Sequence, residues 1–192
     1  MIDAIMFSGS FNPIHMGHLA IARYIVDCTP VDELWLVVSP QNPFKSSNEL
    51  ADFHHRFTMV ELALADLNLP VKVSNIETLL PQPSYTLNTL DALSEKYPDR
   101  RWSLLIGSDN LVNFDKWKKY DEIIEKYPLM VYPRAGFGSE KLYEKYGATK
   151  IDAPLLNISS TFIRNNINNI NNMREFLPNS VIEYIRKWKV FG

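Results

Sequence analysis

The stretch Ala4-Ile5-Met6-Phe7-Ser8-Gly9-Ser10-Phe11-Asn12-Pro13-Ile14-His15-Met16-Gly17-His18 decides the fold. Its apolar head, Ala4 to Ser8, predicts a strand, and the polar Gly and Pro turn behind it leads into a helix from about Gly17 to Asp27. Strand, turn and helix in that order open a βαβ unit, and the same alternation continues along the chain. Leu34 to Ser39, with its Leu-Trp-Leu-Val-Val core, predicts a strand covered on both faces. A Pro, Asn and Ser loop follows at Pro40 to Leu50, then a helix from Asp52 to Leu67 with Phe57, Val60, Leu64 and Leu67 at helical spacing.

Val71 to Val73, Trp102 to Ile106, Leu129 to Tyr132 and the pair Lys150-Ile151 predict the remaining strands. Helices are expected at Tyr85 to Tyr97, from Leu111, and at Tyr120 to Glu125, Lys141 to Tyr146, Ser160 to Ile167 and Ser180 to Lys189. The order implies an α/β class, a doubly wound Rossmann-like parallel sheet with helices on both faces. With 192 residues the chain suits a single domain spanning 1–192, its C-terminal helical part at about 155–192 packed on the rest.

Apolar residues make up 46% and charged residues 22%, which excludes the composition of a disordered chain. Twenty basic against twenty-two acidic side chains leave a net charge of -2, so nothing in the overall balance favours nucleic acid or a membrane surface. The single cysteine, Cys28, cannot form an intrachain disulfide, and no Cys/His cluster has zinc spacing, so a cytoplasmic location is expected. No apolar run reaches the length of a membrane span, and Met1 to Phe7 lacks the features of a signal peptide. The Asn-rich segment Asn165 to Asn172, with isoleucines at 163, 167 and 170, reads as a helix end with a polar outer face.

Ligands of an open parallel sheet bind beyond the carboxyl ends of its strands, where strand order reverses. After the first strand, Gly9 is expected to let the chain turn without a Cβ clash, and Gly17 to open space at a helix start whose free N–H groups attract phosphate. His15 and His18 are three residues apart there and can converge on one point. Either alone reads as a capping or packing histidine; together, behind this turn, they favour phosphate. Without a nearby carboxylate they would under-coordinate a metal ion, and the segment lacks the spacing of a Walker A loop or a dinucleotide fingerprint.

Ile158-Ser159-Ser160-Thr161-Phe162-Ile163-Arg164 forms a second constellation. Ser159 or Ser160 caps a helix, Thr161 adds a hydroxyl in its first turn, and Arg164 follows on the same face; alone this is an ordinary cap, but it also fits a phosphate cradle. Asp109, just past the strand ending at Gly107, reads on its own as a helix cap. Trp35, Trp102 and Trp188 read as packing residues.

The two motifs together are similar to the signatures of the adenylyltransferase branch of the nucleotidyltransferase superfamily. The chain as a whole resembles the bacterial nicotinate-nucleotide adenylyltransferases. Further matches in order are His55-Arg56, Pro83-Ser84-Tyr85-Thr86, Ile106-Gly107-Ser108-Asp109, Lys116-Trp117 and Phe176-Leu177-Pro178. The usual Gly-Gly-Thr-Phe-Asp-Pro opening is here Ser8-Gly9-Ser10-Phe11-Asn12-Pro13, and the usual Pro-Pro-His-Lys loop is Asn42-Pro43-Phe44-Lys45.

The resemblance implies adenylyl transfer from ATP to nicotinate mononucleotide, giving nicotinate adenine dinucleotide and pyrophosphate in NAD biosynthesis. It implies Mg²⁺ held mainly by the ATP phosphates, with no dedicated protein ligand set. His15, His18, Lys45 and Arg164 carry over as catalytic. Gly9, Ser10, Phe11, Gly107, Asp109, Ser159 and Thr161 carry over, with the two histidines and Arg164, as ATP-binding. Ser10, Lys45, Tyr85, Thr86 and Trp117 carry over as binding nicotinate mononucleotide. The partners are small molecules, with neither nucleic acid nor membrane, and a homo-oligomer is compatible with the sequence. Competing readings are another acceptor, nicotinamide mononucleotide or phosphopantetheine, and a nucleotide-binding regulator without catalysis.

Overall fold

In the computed structural model, residues 1–41 and 50–192 are described, residue 171 by its backbone alone. Six parallel strands form one sheet: β1 (Ile2–Gly9), β2 (Glu33–Val38), β3 (Val71–Ser74), β4 (Arg100–Gly107), β5 (Leu129–Tyr132) and β6 (Thr149–Lys150). Their spatial order is β3-β2-β1-β4-β5-β6. The chain winds outward one way from β1 and then returns to its other side at β4, so a crevice opens above the carboxyl ends of those two strands.

The pleat sorts the strands' side chains into two cores. Ile5, Phe7, Leu34, Leu36 and Leu105 face α1 (Met16–Cys28), α2 (Phe53–Leu67), α7 (Ser160–Asn165) and α8 (Asn179–Trp188). Ala4, Met6, Trp35, Val37, Leu104 and Ile106 face α3 (Thr86–Lys96), α5 (Tyr120–Lys126) and α6 (Glu140–Tyr146). Each large aliphatic side chain fully withdrawn from water contributes about 1.5 to 3 kcal/mol. This two-sided burial is why the strands read as unbroken apolar runs. No helix among the described residues is long and apolar enough to cross a membrane.

Four local expectations need correction. The helix expected from Leu111 starts earlier, as α4 (Ser108–Leu111), directly off the end of β4, and a 3₁₀ turn at Phe114–Lys116 follows it. The helix expected over Ser160 to Ile167 stops at Asn165, and the chain continues as a 3₁₀ segment, Ile167–Asn172. Asn166 is the cause: its Nδ2 donates to the Phe162 carbonyl at 2.9 Å, the bond that would otherwise fall to its backbone N–H. A further 3₁₀ turn, Ile76–Leu79, had no signal in the periodicity. Trp35 and Trp102 are buried as expected, but Trp188 is 54% exposed and lies on the surface beside Tyr184 and His55.

The loops that frame the crevice hang on one side chain. Arg56, in the first turn of α2, is 1% exposed. Its guanidinium donates to four backbone carbonyls, those of Ala51 (2.8 Å), Ser10 (2.8 Å), Ser39 (2.6 Å) and Pro40 (2.8 Å). Burial pushes its pKa down to about 10, which leaves it charged at neutral pH and able to donate all these bonds. Arg56→Leu keeps the bulk but orphans the carbonyls, and we expect a loss of about 3 kcal/mol or more in urea denaturation.

Candidate active site

In the turn after β1, the backbone twist and the space for it come from different residues. Phe11, not the glycine, takes the left-handed backbone, with φ 45°. Gly9 instead makes room, since a Cβ there would come 3.1 Å from the Phe11 ring. That ring stands edge-on to Phe7 (centroids 5.7 Å apart) and to His18 (5.1 Å), which fixes the histidine's plane. Asn12, the family's usual aspartate position, is buried, and its Oδ1 accepts the Ala51 N–H at 3.0 Å. An amide oxygen serves that bond as a carboxylate would.

His15 occupies the N-cap position of α1, and its ring stacks on His18 with centroids 3.7 Å apart at 27°. His18 Nδ1 lies 3.3 Å from the His15 backbone N–H and accepts from it, so a neutral His18 carries its proton on Nε2. Capping and ligand-facing roles therefore coincide in one residue. His15 is buried, and burial together with the nearby Arg134 charge lowers its pKa to about 3. Its Nδ1 has no hydrogen-bond partner among the described residues. A Cβ on Gly17 would come 3.0 Å from this ring, which explains a glycine inside the first turn.

The second motif meets the first directly. Ser159 Oγ accepts the Phe162 N–H at 3.1 Å and caps α7, settling which serine is the cap. Ser160 Oγ donates to the Pro13 carbonyl at 3.0 Å, and Arg164 Nη1 donates to the Asn12 carbonyl at 2.9 Å. Arg164 Nη2 also reaches Thr161 Oγ1 at 3.4 Å. Ser159, Ser160 and Thr161 line the crevice; Arg164 stands behind them and is not among its lining residues. The expectation that Arg164 faces the ligand is corrected to this extent: its guanidinium is bonded to the first motif's backbone.

At the end of β4, a Cβ on Gly107 would overlap the Asp109 carboxylate and press on the Tyr132 ring. The missing side chain is what lets Asp109 fold back over the strand end. Asp109 Oδ1 lies 3.8 Å from Arg134 Nε, and neither buried atom has a hydrogen-bond partner among the described residues. Arg134 also sits over the Tyr132 ring at 5.6 Å, and burial pushes the Tyr132 phenol up. Sequence reasoning missed Arg134, although a cation two residues beyond the fifth strand was a positional signal.

The opposite wall carries Tyr85, Thr86 and Trp117. Tyr85 is the N-cap residue of α3, and no side chain among the described residues caps that helix, so its first-turn N–H groups remain available. Trp117 leans on Phe114 (5.2 Å), and Lys118 Nζ sits 4.3 Å above the Tyr85 ring. Ser8, Ser39, Ser84 and the buried Glu77 complete this wall, none of them expected from sequence as ligand contacts. Lys45 lies outside the described residues. Gly9, Ser10, Phe11, His15, His18, Tyr85, Thr86, Gly107, Asp109, Trp117, Ser159 and Thr161 thus share one cleft of about 730 Å³, a size suited to a nucleotide.

Comparison with known proteins agrees with this geometry. A model of the family described as cytidylyltransferase-like matches residues 6–166. The "Probable nicotinate-nucleotide adenylyltransferase" of Flavobacterium johnsoniae is 44% identical over 94% of both chains. The protein of that name from Cytophaga hutchinsonii is also 44% identical, over 97% of both. In fold, the chain matches the Plasmodium falciparum nicotinic acid mononucleotide adenylyltransferase complexed with NaAD at a TM-score of 0.88, with 22% identity over 100% of this chain and 98% of that one. The chain therefore belongs to the cytidylyltransferase-like family and, within it, to the nicotinate-nucleotide adenylyltransferases.

Proposed function

We propose that this chain transfers the adenylyl group of ATP to nicotinate mononucleotide, releasing pyrophosphate and forming nicotinate adenine dinucleotide. The observation that carries the reading is the meeting of both phosphate motifs at the sheet's switch point, joined by the Arg164 to Asn12 and Ser160 to Pro13 bonds. A phosphate oxygen of the acceptor forms a bond to the α-phosphorus, and the bond from that phosphorus to the pyrophosphate oxygen breaks. The attacking oxygen is already an anion, so positioning and charge stabilisation suffice.

His18 donates from Nε2 to the phosphate oxygens on which charge builds. His15, neutral and stacked beneath it, holds that ring in place and offers a second imidazole. Ser10, Ser159 and Thr161 supply hydroxyls to the phosphates, with Gly9 and Phe11 shaping the turn around them. Gly107 and Asp109 take the adenosine ribose, and Arg134 adds a cation. Arg164 acts on the first motif's backbone, and Lys45 neutralises the leaving phosphates. On the other wall, Trp117 stacks on the pyridine ring, while the free N–H groups at Tyr85 and Thr86 favour the acid over the uncharged amide.

The donor set fits a cation that arrives on the triphosphate: among the described residues no group of three or more His, Cys, Asp or Glu is placed to hold a metal. Mg²⁺ bound to ATP would withdraw charge from the phosphates. Residues 155–192 belong to the same catalytic domain, because Ser159, Ser160 and Thr161 at the start of α7 line the cleft, and the enzyme works in the cytoplasm.

Pyrophosphate release with ATP and Mg²⁺ tests the reading. We expect turnover with nicotinate mononucleotide, slower turnover with nicotinamide mononucleotide, and none with phosphopantetheine; equal rates for the first two would remove the claim of acid preference. His18→Ala should lower kcat by about 100-fold or more with a smaller change in the KM for ATP. A pH series tests the burial of His15. Unfolded, it binds a proton below about pH 6.5, whereas folded it stays neutral down to about pH 3. The unfolded state binds more protons in that window, so stability falls as pH drops through it. His15→Gln should flatten the decline in Tm between about pH 7 and pH 4.5.

A further inference from the structure

Glu77 stands on the 3₁₀ turn after β3, 4% exposed, in the wall of the cleft. Ser8 Oγ (3.1 Å) and Thr89 Oγ1 (3.2 Å) reach its Oε1. Ser39 Oγ and Ser84 Oγ, each at 2.7 Å, reach its Oε2. The three serines come from the ends of β1 and β2 and from the residues before α3. No lysine or arginine among the described residues forms an ion pair with Glu77. A carboxylate offers about four acceptor positions and no donor, so the three serine hydroxyls turn their protons toward it, while Thr89 Oγ1 has the Tyr85 carbonyl at 3.3 Å as a second acceptor.

This arrangement fixes what the wall can do. Ser8, Ser39 and Ser84 line the cleft with their protons committed to Glu77, so toward a ligand they present lone pairs. Such a surface accepts hydrogen bonds from alcohols and leaves an anion unpaired. The histidine side carries imidazole, hydroxyl and guanidinium groups that suit phosphate, together with the Asp109 carboxylate. Ser84 adjoins Tyr85 and Thr86, on the side assigned above to the acceptor nucleotide.

Resting on that assignment, we propose that Glu77 is a positioning residue that locks Ser39 and Ser84, with Ser8, as acceptors for the ribose hydroxyls of the acceptor nucleotide. The donors recognised are the alcohols of that ribose.

The test crosses variants with substrates. Wild type, Glu77→Gln, Ser39→Ala and Ser84→Ala are assayed with nicotinate mononucleotide and with its 2′-deoxy and 3′-deoxy ribose analogues. Glutamine keeps one acceptor oxygen and adds an NH₂ donor, so about half of the hydroxyls must reverse. We expect wild type to lose about tenfold in kcat/KM with at least one deoxy analogue. In Glu77→Gln and at least one serine variant, the KM for nicotinate mononucleotide should rise about tenfold. The KM for ATP should stay within about twofold, and the deoxy penalty should collapse. No deoxy penalty in wild type, or a penalty that persists undiminished in the variants, overturns the proposal. Should Glu77→Gln fail to fold by circular dichroism, the serine variants decide the matter alone. Wild type that does not turn over nicotinate mononucleotide at all would instead overturn the assigned reaction.

Discussion

Two hydrogen bonds to the carbonyls of Asn12 and Pro13 hold the cleft together, one from Arg164 and one from Ser160. They join the loop after the first strand to a helix near the other end of the chain. A bond donated by a charged group contributes about 1.5 to 3 kcal/mol, and here it also sets a geometry. Without the pair, the hydroxyls of Ser159 and Thr161 would have no fixed relation to the two imidazoles. Arg56 does the same work from beneath, gathering the carbonyls of Ser10, Ser39 and Pro40 around one guanidinium. Both arginines spend their donors on main chain, so the loops are shaped before any ligand arrives.

Pre-shaping of this kind bears on the chemistry. Adenylyl transfer gains most from donors that need no rearrangement as charge develops. His15 illustrates how the protein keeps such donors without a standing cost. A charged imidazole in that buried position would be expensive, and the ring stays neutral instead. An anionic ligand beside the ring would oppose the downward shift of its pKa.

The strands were legible because burial on both faces leaves a continuous apolar run, as at Leu34 to Ser39, and the site's location followed from reading where those runs end. His15, His18, Ser159 and Thr161 were legible because each stands within a few residues of a helix start. Glu77 was not. In sequence it is one charged residue after a weak strand, and its environment exists only once hydroxyls from β1, β2 and α3 converge on it. Arg164 was carried over to the ligand by resemblance, whereas a guanidinium one helical turn behind a cap can as readily reach the neighbouring loop. The positive φ at Phe11 left no trace in composition, since phenylalanine is not a residue type that marks the left-handed region.

The two sides of the cleft present different hydrogen-bonding groups, and the difference bears on how a pair of substrates would lie between them. Around Glu77 a buried carboxylate takes the protons of three serines; across the cleft His18, whose Nδ1 accepts the His15 N–H, carries its donor on Nε2 when neutral. A phosphate oxygen placed against these three serines would face lone pairs, and each such mismatch costs the desolvation of a polar group, about 1 to 3 kcal/mol; on that side an anion is met instead by Lys118 and by the start of α3. Two mismatches at about 1 kcal/mol each amount to about 30-fold, and three to about 150-fold. The serines around Glu77 therefore add a penalty on the reversed arrangement to the preference that the imidazoles supply.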